Sequence, residues 1–357
     1  MTLSTLAENE LFEIRLTAWS GRGVFARQPI AAGTTVYVTD PCSVHVIYRI
    51  FRREVCNWCW AYDNGQTYKI TSDLCPQAAY FCSDGCKELW ERDVGSLGCQ
   101  AWDKLEAWLR KAKKAEDEPA DAPRLSVLEV DNAWVKAVAL GTLVLSGRRS
   151  STTVATSKAE RKALMQAQGL AAHDDVLSFL LSAIIAAHAH PNSFALLRTL
   201  EAVEVPYRCA EHLAAHTDSF LVLLALLPLD LLSSAADVAD IIRTVARADA
   251  HNSFGIWSGP GGVASSSGEM LGYGTWPDAS FFNHSCAPVL GARVREGRVW
   301  KFVTSRDVEM DEEMTISYLS AEELKETDVT ARRAVLERAW GFRCRCARCV
   351  EESGEGV

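Results

Sequence analysis

Apolar and polar residues alternate through Leu11-Phe12-Glu13-Ile14-Arg15-Leu16, a period of two that predicts a strand. Ser20-Gly21-Arg22-Gly23 reads as a turn, VFARQPI as a second strand, Ala32-Gly33 as another turn and TTVYVTD as a third strand. A cysteine-rich stretch over residues 54–100 ends in the helical pattern DGCKELWERD. Residues 101–124 begin helical and pass into KAKKAEDEPADAPR, a charged linker carrying Ala and Pro. From about 125 to 250 apolar residues recur three or four apart. This spacing predicts helices at DNAWVKAVALGTLVL, DDVLSFLLSAIIAAH, NSFALLRTLEAV and SAADVADIIRTVARA. The run FLVLLALLPLDLL, Phe220 to Leu232, is too short to span a bilayer and holds Pro228 and Asp230, so it reads as a buried core helix.

After residue 251 the period returns to two. VREGRVWKFVTS predicts a hairpin turning at Glu296-Gly297, Gly259 to Gly268 a flexible loop, and residues 321–339 a single helix. Strands, a cysteine-rich insertion, helices, strands and a last cysteine cluster predict an α+β fold. In such a discontinuous plan the strands from the two ends of the chain pair with each other.

Composition adds little to this picture and charge adds something. Of 357 residues, 48% are apolar and 23% charged, as in ordinary folded proteins. The formal net charge of -9 argues against broad phosphate binding and suits a basic, lysine-bearing partner better. The N-terminus lacks a basic region followed by an apolar core, so no secretory signal and no membrane span are expected.

Twelve cysteines in such a chain point to metal or reduced thiols rather than disulfides. Cys56-x2-Cys59 and Cys82-x3-Cys86 form two close pairs, the spacing of a tetrahedral four-thiolate zinc site. Cys75 and Cys99 are left over, and no His lies between His45 and His173 to complete a second site with them. His188 and His190 do not share a helix face, which argues against a metal pair there. Cys344-x-Cys346-x2-Cys349 supplies three thiolates. By spacing alone the fourth ligand is open: Cys286, beside Asn283-His284-Ser285, is the attractive choice, with Cys42, Cys209 or a disulfide as alternatives.

Several motifs, in order, resemble the SET-domain protein lysine methyltransferases, and within them the SMYD type, in which a MYND zinc finger interrupts the SET domain. They are Ser20-Gly21-Arg22-Gly23-Val24-Phe25, the insertion CNWC…YFCSDGCKELW, Asn252-Ser253-Phe254-Gly255-Ile256, SFFNHSCAP, DEEMTISY and FRCRCARC. The resemblance covers nearly the whole chain, which looks more like the compact SET proteins of fungi than the longer animal members. It implies a SET N-terminal part at 10–53, a MYND-like finger at 54–100, and a linker with helical insert at 101–250. A catalytic SET part at 251–320 and a post-SET segment at 321–350 complete the plan.

The resemblance also implies a cofactor, S-adenosyl-L-methionine, and methyl transfer to a lysine amine. It assigns Arg22 and Gly23 to the methionine end of the cofactor and Asn252 to a cofactor contact. Asn283 and His284 would hold the amino-acid part and the adenine edge, and Phe342 would stack on adenine. Tyr318 would be both catalytic and cofactor-binding. Cys286, Cys344, Cys346 and Cys349 would bind one zinc ion and Cys56, Cys59, Cys82 and Cys86 another. Tyr273, Phe281, Phe282 and Trp340 are wall candidates for a lysine channel, with ordinary core packing as the alternative.

Three departures stand out. Val289 follows Pro288 where the family has Asn, the finger lacks the second-site His and one Cys, and Trp340 stands where relatives carry Tyr. The expectation is a monomeric lysine methyltransferase acting on a histone tail or other basic protein, in nucleus or cytoplasm, without direct contact to nucleic acid. A catalytically inactive scaffold is the rival.

Overall fold

The first hairpin is set by a single glycine. β1 (Phe12–Leu16) and β2 (Arg22–Ala26) run antiparallel from Phe12↔Ala26 to Leu16↔Arg22. Gly21 takes φ +71° at the turn, where the Thr17 amide donates to its carbonyl at 2.7 Å. Only Gly21 needs the left-handed region, so the turn closes before Arg22. The expected turn over Ser20–Gly23 is therefore shorter, and Arg22 and Gly23 lie on the strand. β3 (Thr35–Val38) follows. The computed structural model describes residues 9–116, 123–150, 156–259, 261, 268–326 and 328–354. Most of the Gly259–Gly268 loop and residues 117–122 of the linker lie outside the described residues.

The chain divides into two compact units, one of Met1–Cys42 with His251–Val357 and one of Ser43–Ala250. In the second, β4 (Val44–Ile47) precedes a short ladder of β5 (Ile70–Thr71) with β6 (Tyr80–Phe81). α1 (Asp84–Leu109) joins the predicted DGCKELWERD and the expected helical start of 101–124 into one element. Its buried stripe runs on through Cys99, Ala101 and Leu105, and the helix absorbs a break at Gly95 (φ 68°). Then come α2 (Val127–Ser150), α3 (Lys158–Gln168), α4 (Asp174–Ala189), α5 (Pro191–Ala195), α6 (Ala210–Leu226) and α7 (Ala235–Asn252).

α2 packs closely on α6 because Gly141 has no side chain: a methyl there would stand 2.7 Å from Leu224 Cδ1. Two expectations are corrected. NSFALLRTLEAV is helical only to Ala195, then tightens to a 3-10 turn over Leu196–Thr199. The run from Phe220 is a buried helix only to Leu226 and breaks at Pro228. Among the described residues no single helix is long and apolar enough to cross a membrane.

The first unit resumes with β7 (Ser253–Trp257) antiparallel to β8 (Met270–Thr275). β9 (Ala292–Glu296) and β10 (Val299–Val303) form the expected hairpin, turning at Gly297 (φ 58°). β10 also pairs with β3, placing Tyr37 opposite Phe302, so strands from the two ends of the chain share a sheet of order β3-β10-β9. Trp276, Trp300, Phe282 and Phe302 fill this unit's core, with Phe282 stacked on Phe302 at 4.6 Å. The helix expected over 321–339 is two, α8 (Ala321–Glu326) and α9 (Val329–Trp340). Asp328 starts the second, its carboxylate accepting from the Ala331 amide at 2.8 Å. α10 (Ala347–Ser353) ends the described chain.

Candidate active site and cysteine centres

The segment after β8 carries the chemistry. A 3-10 turn over Ala279–Phe281 hands the chain to Phe282 and then to Asn283 and His284, which bridge Ile316 in parallel fashion. The Ile316 amide donates to the Asn283 carbonyl at 2.9 Å and the Ser285 amide to the Ile316 carbonyl at 2.8 Å. This crossing of two segments more than thirty residues apart fixes where Asn283 points. Its Nδ2 donates to the Arg22 carbonyl at 3.0 Å and to Glu313 Oε1 at 2.8 Å. Gly23 sits against the same pair: a Cβ there would stand 2.5 Å from Glu313 Oε1 and 3.0 Å from Asn283 Nδ2. Glycine serves close approach here rather than an unusual φ, and a methyl would displace these side-chain ends. The sequence reading did not single out Glu313, although it lies within DEEMTISY.

His284 and Tyr318 are locked together. The Tyr318 amide donates to His284 Nδ1 at 3.0 Å, which leaves the ring proton on Nε2, directed at Cys286 Sγ at 3.3 Å. Burial pushes the His284 pKa down to about 4, so the imidazole is neutral at pH 7. The Tyr318 hydroxyl donates to the Phe282 carbonyl at 3.2 Å. Around it lie the rings of His284 at 5.3 Å, Trp340 at 5.6 Å and Phe342 at 6.2 Å.

A cavity of about 1170 Å³ opens beside this cluster. Of the residues expected to be functional, Asn252, Phe282, Tyr318 and Trp340 line it. Phe254 and Trp300 add aromatic wall, and Arg293, Glu322, Glu323 and His251 bring charged or titratable groups. Asn283, His284 and Phe342 adjoin Tyr318 or Arg22 without lining this cavity. Tyr273 and Phe281, both expected in the channel, lie outside its lining. Phe281 is buried with the Arg22 guanidinium 4.6 Å from its ring, and Tyr273 sits on β8 opposite Gly255.

Two groups of four cysteines converge. The sulfurs of Cys286, Cys344, Cys346 and Cys349 all lie within 4.8 Å of one another, as do those of Cys56, Cys59, Cys82 and Cys86. Cys286 and Cys349 are 3.5 Å apart, and Cys59–Cys82 and Cys82–Cys86 are each 3.6 Å. Tetrahedral zinc with Zn–S of about 2.3 Å places sulfurs about 3.8 Å apart, so both donor sets fit zinc in chemistry and spacing.

Hydrogen bonds suited to thiolate surround the first group. The Cys286 amide donates to Cys346 Sγ at 3.4 Å and the Cys346 amide to Cys344 Sγ at 3.5 Å. Arg333 Nε holds the Cys344 carbonyl at 3.0 Å and Arg348 the Cys286 carbonyl at 3.0 Å. In the second group Cys86 occupies the first turn of α1, where the helix N-terminus favours negative charge. Cys75 and Cys99 are fully buried with Phe81 and Trp90 in the small core beneath that group.

The SET-domain family matches residues 21–319, and the chain belongs to the SET-domain family. It is similar along nearly its whole length to the potential protein lysine methyltransferase SET6 of Saccharomyces cerevisiae, 25% identical over 96% of this chain and 95% of that protein. Partial matches extend to a SET and MYND domain-containing protein of Dictyostelium discoideum, 28% identical over 32% of this chain and 24% of that protein. The histone-lysine N-methyltransferase SET5 of Eremothecium gossypii is 37% identical over 20% of this chain and 14% of that protein. The enzyme class expected from the sequence, a protein lysine methyltransferase, agrees with this family.

Proposed function

We propose that this chain is an S-adenosylmethionine-dependent protein lysine N-methyltransferase of the SET-and-MYND type, with one zinc ion in each cysteine group. The observation that carries the reading is the placement of Asn283, held on the Arg22 carbonyl, next to His284, held by the Tyr318 amide, beside a large aromatic-walled cavity. S-adenosylmethionine, when bound, supplies a methyl group already activated on a sulfonium. The protein's share is positioning and exclusion of water.

Tyr318, its hydroxyl held by the Phe282 carbonyl, is placed to orient the reacting groups. The rings of Phe254, Phe282, Trp300 and Trp340 give a lysine side chain an aromatic wall that excludes water, while Glu322 and Glu323 bring negative charge to the same lining. Gly23 lets Arg22 and Asn283 come together where the methionine end of the cofactor is assigned. The post-SET thiolates would hold zinc and so tie Cys286, two residues beyond His284, to the C-terminal segment. The MYND-like group would hold the second ion as a closed structural site.

The substrate in this reading is a lysine-bearing protein, a class consistent with the net charge of -9 and with the names of the SET6 and SET5 relatives. The test is transfer of labelled methyl from S-adenosylmethionine to histones and to a lysine peptide library, by wild type and Tyr318→Phe. Wild type should label lysine, and the variant should lose about a hundredfold in rate while still binding cofactor. A folded wild type that neither binds cofactor nor labels any lysine would leave the scaffold reading.

A further inference from the structure

β9 brings a cation to a cavity where the sequence suggested only aromatic walls. Arg293 lies opposite Phe302 in the β9–β10 register, and its guanidinium is 5.9 Å from the ring centroids of both Phe254 and Trp300. Its neighbours on the hairpin have acceptors. Arg295 donates to the carbonyls of Gly297 and Trp257, and Arg298 to that of Cys42. Among the described residues, Arg293 has ring contacts and no hydrogen-bond acceptor or carboxylate partner.

Burial lowers its pKa to about 10, which leaves it a cation at neutral pH. A guanidinium offers five N–H donors in a planar fork that matches a carboxylate, and Arg293 presents it half-buried on the cavity lining. Two aromatic rings hold this fork against the cavity wall.

We infer that Arg293 is a carboxylate-recognition residue of this cavity, taking an acidic side chain that neighbours the target lysine in the protein substrate. The inference rests on the proposed methyl transfer for the meaning of the cavity. Charge arrangement favours it. A lone cation facing an incoming lysine ammonium repels it, and a carboxylate carried by the same substrate removes that repulsion. Glu322 and Glu323, on the same cavity's lining, give the wall the opposite sign for the lysine. The cofactor has a carboxylate as well, but the resemblance places its methionine end at Arg22 and Gly23. Arg22 packs on Phe281, which does not line the cavity. The pocket thus selects lysines with Asp or Glu neighbours over wholly basic tails.

The test uses the full chain and lysine peptides with Glu, or Gln in its place, scanned through the flanking positions. Methyl transfer and fluorescence-anisotropy binding are read for wild type, Arg293→Gln and Arg293→Lys. Wild type should prefer Glu-flanked peptides by about tenfold, expressed in KM. Arg293→Gln should erase the preference and Arg293→Lys should keep part of it, with S-adenosylmethionine affinity by calorimetry unchanged. If Arg293→Gln instead weakens S-adenosylmethionine but not its decarboxylated analogue, the carboxylate is the cofactor's and the substrate assignment is overturned. Equal binding of Glu and Gln peptides by wild type, with cofactor affinity indifferent to Arg293→Gln, overturns the inference entirely. Acid preference in binding without any methyl transfer supports the carboxylate site and counts against the methyltransferase reading alone.

Discussion

The two cysteine groups have the same donors and nearly the same sulfur spacing, yet they sit in different surroundings. Cys56, Cys59, Cys82 and Cys86 come from one short stretch, with Cys82 exposed and Cys59 and Cys86 half-buried. Cys286, Cys344, Cys346 and Cys349 join segments some sixty residues apart, and three of the four are buried. His284 Nε2 and backbone amides point at the sulfurs of the second set, while Arg333 and Arg348 hold its carbonyls. The two sets of four thiols therefore serve different purposes. The first set braces a local fold with a small core of its own. The second closes a long loop and ends two residues from His284, so its integrity reaches the candidate active site.

The largest expected effect breaks this comparison open. Cys286→Ser should weaken S-adenosylmethionine binding by about a hundredfold and expose the 344–354 segment to protease, because the C-terminal tie is lost. Cys82→Ser should change cofactor affinity less than about threefold while reducing the zinc content by one ion. Calorimetry, limited proteolysis and metal analysis check both, and equal loss of cofactor affinity in the two variants would erase the distinction.

A smaller effect separates packing from metal. Gly23→Ala puts a methyl against Glu313 and Asn283 and should lower cofactor affinity about tenfold, with both zinc ions retained. Undiminished affinity would show that the Arg22–Asn283–Glu313 contact does not shape the cofactor site.

The smallest effect is a pH dependence carried by one carboxyl of the first unit. Asp278 opens the turn that leads to Asn283 and accepts from Tyr37 Oη at 3.0 Å and the Asp40 amide at 2.7 Å. Burial pushes its pKa up to about 6 from an ordinary 3.8. A raised carboxyl pKa means the folded state holds the proton more tightly. The stabilisation is full below about pH 4 and is lost as pH rises through 6. Between pH 7.5 and 5.5 wild type should gain about 1 kcal/mol relative to Asp278→Asn in urea unfolding. Thiolate protonation is common to both proteins and cancels. Parallel pH profiles would contradict the assignment.

What was legible in the sequence follows the range of the interactions. The finger's cysteine pairs, the β9–β10 hairpin and the helices of the insert announce themselves through spacing within twenty or thirty residues. Cys286 could be joined to Cys344–Cys349 only through the resemblance, since spacing alone left Cys42 and Cys209 open. Glu313 and Arg293 were missed because their roles come from segment crossing and strand register, which periodicity does not encode. α3 was missed because it is polar and buries only Ala163 and Ala167. Its signal was the capping box of Ser157 and Glu160. The split of 321–339 had a signal too, since Asp328 is a good N-cap in the middle of an apolar rhythm. Tyr273 and Phe281, read from nearness to a motif, lie outside the cavity lining, since side-chain direction depends on packing that a motif does not encode.

The central claim is that Asn283, His284 and Tyr318 build a cofactor site in a SET methyltransferase. It is tested most directly by calorimetric titration of zinc-replete protein with S-adenosylmethionine, wild type beside Asn283→Ala. The account predicts saturable one-to-one binding by wild type, weakened about tenfold or more in a variant that keeps its melting temperature without cofactor. Absence of binding by folded wild type, or equal affinity in the variant, would contradict it.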